Sequence, residues 1–253
     1  MSNIKRAVVF AGYSPDGRIY KDVFPYLEEL RKYSEYIIAV YDNKNIEQTE
    51  LEKLKMYVDE YIIDRHGEYD FGSYKRGFFR LKEKQILDST DKLLFCNDSI
   101  IYQGKSLDLF FKLETEKDFY GLTSYRKEKT ENDVNFDDLF HIQSYFLSIS
   151  KNIYNKIWFN DFISSIKKEL DKDDIINRYE IGISRLIEKN GYKIDSFYPT
   201  LSCASVNPCL FFLSKTSCFS WGEEQFIFDF CEDEEFFLFE KRNVADLYTI
   251  KED

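Results

Sequence analysis

The sequence predicts an α/β domain with a mainly parallel central sheet flanked by helices. Short apolar runs alternate with amphipathic segments over the first hundred residues, and each run ends in polar or turn residues. Such alternation is typical of parallel strands joined by right-handed crossovers. The chain has 253 residues, is 43% hydrophobic and contains no Pro- or Gly-rich linker, which favours one large core.

The first half of the chain gives the clearest elements. Residues 7–11 form an apolar run that ends in turn residues, as a buried strand does. Between Tyr20 and Tyr33, apolar side chains recur every three or four positions, which predicts an amphipathic helix. The same criteria predict strands over 36–41, 61–63 and 92–96 and helices over 46–57 and 71–87.

The second half is less regular. Strands are predicted over 119–122 and 144–149, and helices near 151–170 and 173–190. Residues 125–138 are charged and lack apolar periodicity, so we expect a long surface loop there. We expect a catalytic-type domain over residues 1–221 and an acidic segment over 222–253 that packs on it or trails from it.

Composition excludes several classes of protein. With 35 Lys and Arg against 46 Asp and Glu, the net charge is −11, which argues against a nucleic-acid partner. No apolar run is long enough to cross a bilayer, so peripheral association with the inner face of a membrane is the most we expect. Five cysteines without a CxxC pair predict free thiols and a cytoplasmic location.

Several familiar motifs are absent or incomplete. The sequence contains no GxGxxG, and the P-loop spacing of Gly67 and Gly72 lacks the Lys-Ser/Thr that should follow. The DFG triplet at 70–72 has no kinase-like companions, and two histidines are too few for a common zinc site.

Polar clusters follow four predicted strands, at residues 13–17, 42–43, 64–75 and 97–99. Open α/β sheets bind ligands beyond the carboxyl ends of their strands, so these clusters predict one shared site. Each cluster alone is also compatible with an ordinary loop.

Residues 65–77 read RHGEYDFGSYKRG, which resembles the R-x-x-G-Y-D-F-G-x-Y/W-K-x-G segment of the rhamnan synthesis protein F family. The resemblance continues through 95–99, 121–123, 141–147 and 179–182, and Asn207-Pro208 is a further candidate match. It implies a GT-A-like glycosyltransferase of bacterial surface-polysaccharide or cell-wall synthesis. The implied donor is a nucleotide sugar carrying rhamnose or a related deoxysugar, and the implied acceptor is a glycan or lipid-linked glycan.

Beside the resemblance, the diphosphate leaving group of a sugar nucleotide needs stabilisation, which a divalent metal, Mg²⁺ or Mn²⁺, held by one or two carboxylates supplies. GT-A enzymes place an acidic motif after the fourth strand, and Asp98 lies there, which makes it the catalytic and metal-binding candidate. An Asx-capped turn is the structural alternative. The remaining donor-site candidates are Tyr13, Ser14, Asp42, Arg65, Asp70, Gly72, Lys75, Asn97 and Ser99.

The helix that begins near Phe71 offers a second argument for this site. Free N–H groups at a helix start suit phosphate, Gly72 permits close approach of a ligand, and Lys75 and Arg65 could neutralise the diphosphate. A capping Asp70 beside two solvated basic residues is the alternative.

Glu180, in the Tyr-Glu-Ile-Gly run, is the predicted general base of an inverting transfer, and a solvated helix-face glutamate is its alternative. His141 and Gln143 are predicted to face the acceptor, with Asp137 or Asp138 as substitutes for the base. Three other hypotheses stay open: a UDP- or GDP-sugar donor, a metal-independent transfer, and a non-catalytic glycan- or nucleotide-binding protein.

Overall fold

A computed structural model describes residues 4–126, 139–198 and 238–242. The strands are β1 (Arg6–Gly12), β2 (Tyr36–Tyr41), β3 (Glu60–Ile63), β4 (Lys92–Asn97), β5 (Ile100–Tyr102), β6 (Phe119–Arg126), β7 (Phe140–Ile142), β8 (Phe146–Ser150), β9 (Ile194–Tyr198) and β10 (Phe239–Lys241). The helices are α1 (Val23–Arg31), α2 (Gln48–Leu54), α3 (Tyr69–Glu83), α4 (Asp108–Glu114), α5 (Lys151–Tyr154), α6 (Ile157–Ser165), α7 (Lys172–Ile175) and α8 (Gly182–Lys189). A 3₁₀ turn covers Ile86–Ser89, and a π-helical segment covers Ile176–Ile181.

The main sheet has the order β3-β2-β1-β4-β8-β6-β7, with β9 also paired to β6. Strands β1 to β4 are mutually parallel, β8 runs against β4 and β6, and β9 is parallel to β6. The expected α/β domain with a mainly parallel sheet and flanking helices is therefore confirmed. Because β1 to β4 point the same way, the loops that follow them meet at one edge.

The alternation of side chains along β1 explains why helices cover both faces of the sheet. Val8 and Phe10 pack on one side with residues of α1, α2 and α4, whereas Ala7, Val9 and Ala11 pack on the other with α3, α5, α6 and α8. All seven residues of β1 are buried. A strand buried on both faces must be a nearly continuous apolar run, and this run is what made β1 recognisable in the sequence.

A buried ion cluster lies at the amino-terminal edge of the parallel strands. The Arg6 guanidinium donates to the Glu114 carboxylate at 2.8 Å, and the Lys92 ammonium lies 3.9 Å from the same group. Ser148 donates a further hydrogen bond to Glu114, whose side chain is fully buried. Glu114 thus joins β1, β4, β8 and the end of α4.

Several predicted boundaries change in the structure. The predicted helix over 151–170 is two helices, α5 and α6, and the one over 173–190 contains the π-helical segment between α7 and α8. Helix α4 and strands β5, β7, β9 and β10 were not predicted, because short elements of three to seven residues give too little periodicity. The loop expected over 125–138 begins after β6, and residues 127–138 lie outside the described ranges.

Part of the acidic C-terminal segment packs on the body. Strand β10 pairs antiparallel with β5, and the Phe239 ring lies 4.9 Å from that of Tyr26 and 5.7 Å from that of Phe146. The remaining residues of 222–253, and the candidate match at Asn207-Pro208, lie outside the described residues. In the part of the chain that is described, no helix is both long and apolar enough to cross a membrane.

Replacing Glu114 should destabilise the fold strongly. In Glu114→Gln, two cations stay buried without their carboxylate, which typically costs about 3–5 kcal/mol. Urea unfolding measures this loss, and Glu47→Gln, which removes the partner of an exposed Arg18, is the control and should change little. Equal stability of the Glu114 variant and the wild type would show that the cluster contributes nothing.

Candidate functional site

Two adjoining cavities lie at the carboxyl edge of β1, β2 and β3, with volumes of about 430 and 510 Å³. Tyr13, Asp42 and Arg65 line both, so they form the boundary between them. The smaller cavity, which we call the loop cavity, is otherwise lined by residues 14–17 and 43–47. The larger, which we call the helix cavity, is otherwise lined by Gly12, Gly67, Tyr69, Asp70, Ser73, Lys168, Glu169 and Leu170. Of the four polar clusters that follow predicted strands, those at 13–17, 42–43 and 64–75 meet at these cavities.

Asp42 holds the loop after β3 against the end of β2. Its Oδ1 accepts hydrogen bonds from the backbone N–H groups of His66 at 2.9 Å and Gly67 at 3.0 Å. Arg65 donates to the Asp42 carbonyl at 2.9 Å and lies 3.1 Å from the carboxylate. Asp42 was predicted to bind the donor, and the structure gives it a further role, which is to fix Arg65 and the turn that follows.

The boundary between the cavities carries exposed recognition groups. The Arg65 guanidinium lies 5.3 Å from the centre of the Tyr13 ring, and both side chains are close to half exposed. Behind them, Ser14 N donates to Asn43 Oδ1 at 3.0 Å, and Asn43 Nδ2 donates back to Ser14 O at 2.6 Å. This reciprocal pair joins the loops after β1 and β2, so Ser14 shapes the loop cavity largely through its backbone.

Gly72 is required by packing inside the protein. A methyl group at Gly72 would lie 2.6 Å from His66 Nδ1 and 2.4 Å from Glu68 Cβ. His66 Nδ1 accepts from Glu68 N at 3.0 Å, so the proton of the neutral ring lies on Nε2, which donates to Ser73 Oγ at 3.1 Å. Burial lowers the pKa of His66 and keeps it neutral. The close approach expected between Gly72 and a ligand is made to His66 instead.

A hydrogen-bond chain links the start of α3 to the end of β4. Asn97 Nδ2 donates to Asp70 Oδ2 at 2.6 Å, while Asn97 Oδ1 accepts from Ser99 Oγ at 2.6 Å and from Ser99 N at 3.1 Å. Asn97 is almost fully buried. Asn97 and Ser99 therefore orient Asp70, which faces the helix cavity.

Asp98 is a buried carboxylic acid beside a second acid. Its Oδ2 accepts from Tyr13 N at 2.9 Å, and the residue is 8% exposed. Burial raises the pKa of Asp98 to about 7, the Tyr13 hydrogen bond opposes the rise, and the charge of Asp70 adds to it. Loss of hydration and repulsion from Asp70 are both relieved by a cation.

Asp70, which lines the helix cavity, and Asp98, which is buried and lines neither cavity, are the carboxylates that could contribute to a divalent cation site. Among residues 4–126, 139–198 and 238–242, no three His, Cys, Asp or Glu side chains cluster closely enough to hold a metal by themselves. One or two carboxylates with phosphate and water oxygens are a common Mg²⁺ donor set. The carboxylates of Asp70 and Asp98 would hold such an ion.

Lys75 does not line either cavity. Its ammonium group donates to the carbonyls of Ser164 at 3.0 Å and Ile166 at 2.6 Å, at the end of α6. The prediction of a direct donor contact therefore needs correction. The long side chain leaves α3 toward the negative end of a neighbouring helix, where a cation is favourable.

The segment held by Lys75 forms a wall of the helix cavity. Residues 168–170 line that cavity, and Tyr179 fixes the segment by donating to Glu169 Oε1 at 2.6 Å and accepting from Lys167 N at 3.1 Å. The exposed Lys168 passes over Gly67, where a methyl group would lie 3.9 Å from its Nζ. No sequence signal pointed to Lys168, because it lies about a hundred positions from the loop that it covers.

Tyr69 is a further residue that was not predicted individually. It is 51% exposed, lines the helix cavity and has a φ of 54°. The left-handed region is unfavourable for a non-glycine residue and is found most often at functional sites. Its place in the Tyr-Asp-Phe-Gly run of the segment that resembles the family was the signal that could have identified it.

Glu180 lies within the π-helical segment, and its side chain is 13% exposed. Its Oε1 accepts from Ser144 N at 2.5 Å, and Tyr74 donates to Ser144 O at 2.8 Å. The charges of Asp70, Glu180 and Asp98 all act on the Tyr74 hydroxyl and contribute to its raised pKa, for which burial is the largest cause. Tyr179, the residue before Glu180, packs with Phe71 and Tyr74 of α3, so this segment lies on the α3 face of the sheet.

His141 lies beside this glutamate. Its Nδ1 donates to Leu139 O at 2.8 Å, and its Nε2 lies 3.9 Å from Glu180 Oε2. Gln143 accepts a hydrogen bond from Tyr145 at 2.8 Å. His141 therefore lies beside Glu180, and its role on the acceptor side stays a prediction. The substitutes Asp137 and Asp138 lie outside the described residues.

Comparisons with known proteins identify relatives. A protein described as virulence protein VirA from Vibrio anguillarum is 26% identical over 200 residues, which are 78% of this chain and 60% of that protein. An uncharacterized protein of Sinorhizobium fredii is 27% identical over 188 residues, 74% of this chain and 46% of the relative. The chain thus spans about half to three fifths of the curated relatives that it matches.

Solved structures resemble the fold in outline. A 4-diphosphocytidyl-2C-methyl-D-erythritol synthase aligns over 91% of this chain and 99% of its own, with 8% identity and a TM-score of 0.47. The glycosyltransferase GlyE of Streptococcus pneumoniae aligns over 96% of this chain and 55% of its own, with 16% identity and a TM-score of 0.42.

The family comparison is more specific. The model of the family described as rhamnan synthesis protein F matches residues 37–215, a range that contains the loops after β2, β3 and β4 and the candidate base Glu180. The chain belongs to the rhamnan synthesis protein F family.

Proposed function

We propose that this protein is a glycosyltransferase that binds the diphosphate of a nucleotide sugar at the boundary between the loop cavity and the helix cavity. The observation that carries the proposal is the joint presence of Arg65, Lys168 and Asp70 around the helix cavity, at the carboxyl edge of parallel strands. Family membership supports a role in polysaccharide synthesis.

The charges of the site match the parts of such a donor. Arg65 offers a planar guanidinium and Lys168 a mobile ammonium group, and together they can balance a diphosphate. The Tyr13 ring at the boundary provides a flat face for the base or the ribose. In this proposal the nucleoside occupies the loop cavity, and the sugar occupies the helix cavity beside Asp70 and Tyr69.

Asp70 and Asp98 are the proposed holders of Mg²⁺ or Mn²⁺. When bound there, the ion would stabilise negative charge on the departing diphosphate. Asn97 and Ser99 orient Asp70, and the Tyr13 N–H orients Asp98. These contacts keep both carboxylates in place before the donor arrives.

Glu180 is the proposed base of an inverting transfer. Its Oε1 is occupied by Ser144 N, which leaves Oε2 to accept the proton of an incoming acceptor hydroxyl. His141 Nε2 lies 3.9 Å from the same oxygen, so the ring would line the acceptor side of the site. The proton moves to Glu180 as the acceptor oxygen bonds to the anomeric carbon and the bond to the diphosphate breaks.

The sugar proposed is rhamnose or a related deoxysugar, and the acceptor is a bacterial surface glycan or its lipid-linked form. Calorimetric titration with UDP, GDP and dTDP, each with Mn²⁺ or with EDTA, tests the proposal and distinguishes the donor nucleotides. Binding of at least one nucleoside diphosphate is expected. Failure of every nucleotide to bind would contradict the proposal and favour a protein that binds glycans alone.

Lys168→Ala should weaken nucleoside diphosphate binding about tenfold, because a charge-assisted contact to phosphate is lost. Binding of the corresponding nucleoside, which lacks phosphate, should not change. Lys167→Ala is the matched control, since the neighbouring exposed lysine does not line the cavity. Equal losses in both variants, or none in either, would remove Lys168 from the site.

Asp98→Asn should change both metal response and pH dependence. The folded pKa of Asp98 is about 7 against 3.8 for an ordinary aspartate, so the folded state holds its proton more tightly. Its contribution to stability is present at low pH and lost as pH rises through about 7. As the pH rises from 3.8 to about 7, the melting temperature of the metal-free wild type should therefore fall relative to that of Asp98→Asn.

Mn²⁺ with nucleoside diphosphate should restore the melting temperature of the wild type at pH 8 but not that of Asp98→Asn. Thermal scans with and without the ion measure the difference. An ion effect of equal size in both proteins would exclude Asp98 as a ligand, and no effect in either would favour a metal-independent transfer by Arg65 and Lys168.

Glu180→Gln should preserve donor binding and lower turnover about 10²- to 10⁴-fold, the usual contribution of a general base. Glu188→Gln, which changes an exposed glutamate of α8 paired with Arg185, is the control and should retain turnover. Assays with donor and acceptor glycan under identical conditions compare the two. Wild-type turnover by Glu180→Gln would show that another group takes the proton.

A further inference from the structure

Arg242 lies beyond residues 37–215, the part of the chain that matches the family, yet it contacts the turn that carries Asp98. Its backbone N donates to Ser99 O at 3.0 Å, and its side-chain Nε donates to Asp98 O at 2.9 Å. Two consecutive carbonyls of the Asn97–Asp98–Ser99 turn are therefore held by one residue.

The Arg242 side chain is fixed on all sides. Its Nη2 forms an ion pair with Asp22, its guanidinium lies 4.0 Å from the centre of the Tyr20 ring, and the side chain is 4% exposed. Antiparallel pairing of β10 with β5, which follows the turn directly, sets the backbone register. Arg242 therefore differs from a surface arginine, whose charge stays in water and whose ion pairs contribute little to stability.

The segment before Arg242 is anchored in the core. Leu238 and Phe239 are each 3% exposed, and Leu238 N donates to Tyr198 Oη at 3.4 Å. The Phe239 ring packs edge-on against Tyr26 of α1. Strand β10 and Arg242 thus connect the core to the Asp98 turn, so this segment supports the turn in its observed position.

We propose that Arg242 is a positioning residue, which sets the Asp98 carboxylate for nucleotide-diphosphate binding by holding its backbone. The inference rests on the proposed function of the site. It adds a C-terminal residue to a site otherwise built from the first 180 residues of the chain. Asp98 is held at its carboxylate by Tyr13 N and at its carbonyl by Arg242.

A double-variant cycle on nucleotide affinity tests this role. The probe is whichever of UDP, GDP and dTDP the wild type binds, titrated with Mn²⁺ by calorimetry. We expect Arg242→Ala and Asp98→Asn each to weaken binding about tenfold or more. The double variant should bind no more weakly than Asp98→Asn alone, because Arg242 acts through Asp98.

The matched control is Arg6→Ala. Arg6 is also buried, also pairs with one carboxylate and also donates to a backbone carbonyl, but it lies at the opposite edge of the sheet. We expect it to lower the melting temperature as Arg242→Ala does and to leave nucleotide affinity unchanged. Equal affinity losses in both variants would reduce Arg242 to a structural residue.

Arg242→Lys covers the case in which Arg242→Ala does not fold. It keeps the charge beside Asp22 and Tyr20 but loses the Nε contact to Asp98 O, so affinity should still fall. Two results would overturn the inference. One is wild-type nucleotide affinity in a folded Arg242→Lys variant. The other is a double variant that binds nucleotide about tenfold more weakly than Asp98→Asn alone. A wild type that binds no nucleotide would instead contradict the proposed function.

Discussion

Burial of a carboxylate costs free energy unless donors or cations replace its water, and Asp98 is in that position at the end of β4. Tyr13 N donates to its Oδ2, the charge of Asp70 raises its pKa, and the charge of Arg242 lowers its pKa. The resulting pKa of about 7 means that the folded protein carries an acid whose charge is incompletely compensated. In the proposed donor site, a cation arriving with a diphosphate would relieve this imbalance.

The loops around Asp98 are held by contacts within the protein, which leaves few groups to face a ligand. Asp42 is occupied by the turn at His66 and Gly67, and Asn43 by Ser14. Arg65, Tyr13 and Lys168 remain partly or fully exposed around the cavities. Such a division, with buried polar groups for geometry and exposed ones for recognition, is what a pre-organised binding site requires.

The sequence predicted the parallel strands and the edge at which they meet, since runs such as residues 7–11 are apolar throughout and end in polar residues. Tyr13, Asp42, Arg65 and Asp70 were accordingly brought together. The direction of a long side chain was not predictable, and so Lys75 was assigned to the ligand although it binds the end of α6.

Contacts between distant parts of the chain could not be predicted from the sequence either. Nothing in the residues around Lys168 or Arg242 indicates that they would reach the loops at Gly67 and Asp98, because neither contact has a local pattern. The π-helical segment around Glu180 contacts β7, and the sequence predicted this stretch only as part of a continuous helix. Function-bearing contacts of this kind require the tertiary structure.

The position of a bound nucleoside diphosphate tests the central claim most directly. A crystal structure with Mn²⁺ and the nucleoside diphosphate that binds most tightly should place the diphosphate between Arg65 and Lys168. The ion should lie on Asp98 and Asp70, with the base in the loop cavity. A nucleotide bound elsewhere on the protein, or one whose diphosphate lies away from these four residues, would contradict the account.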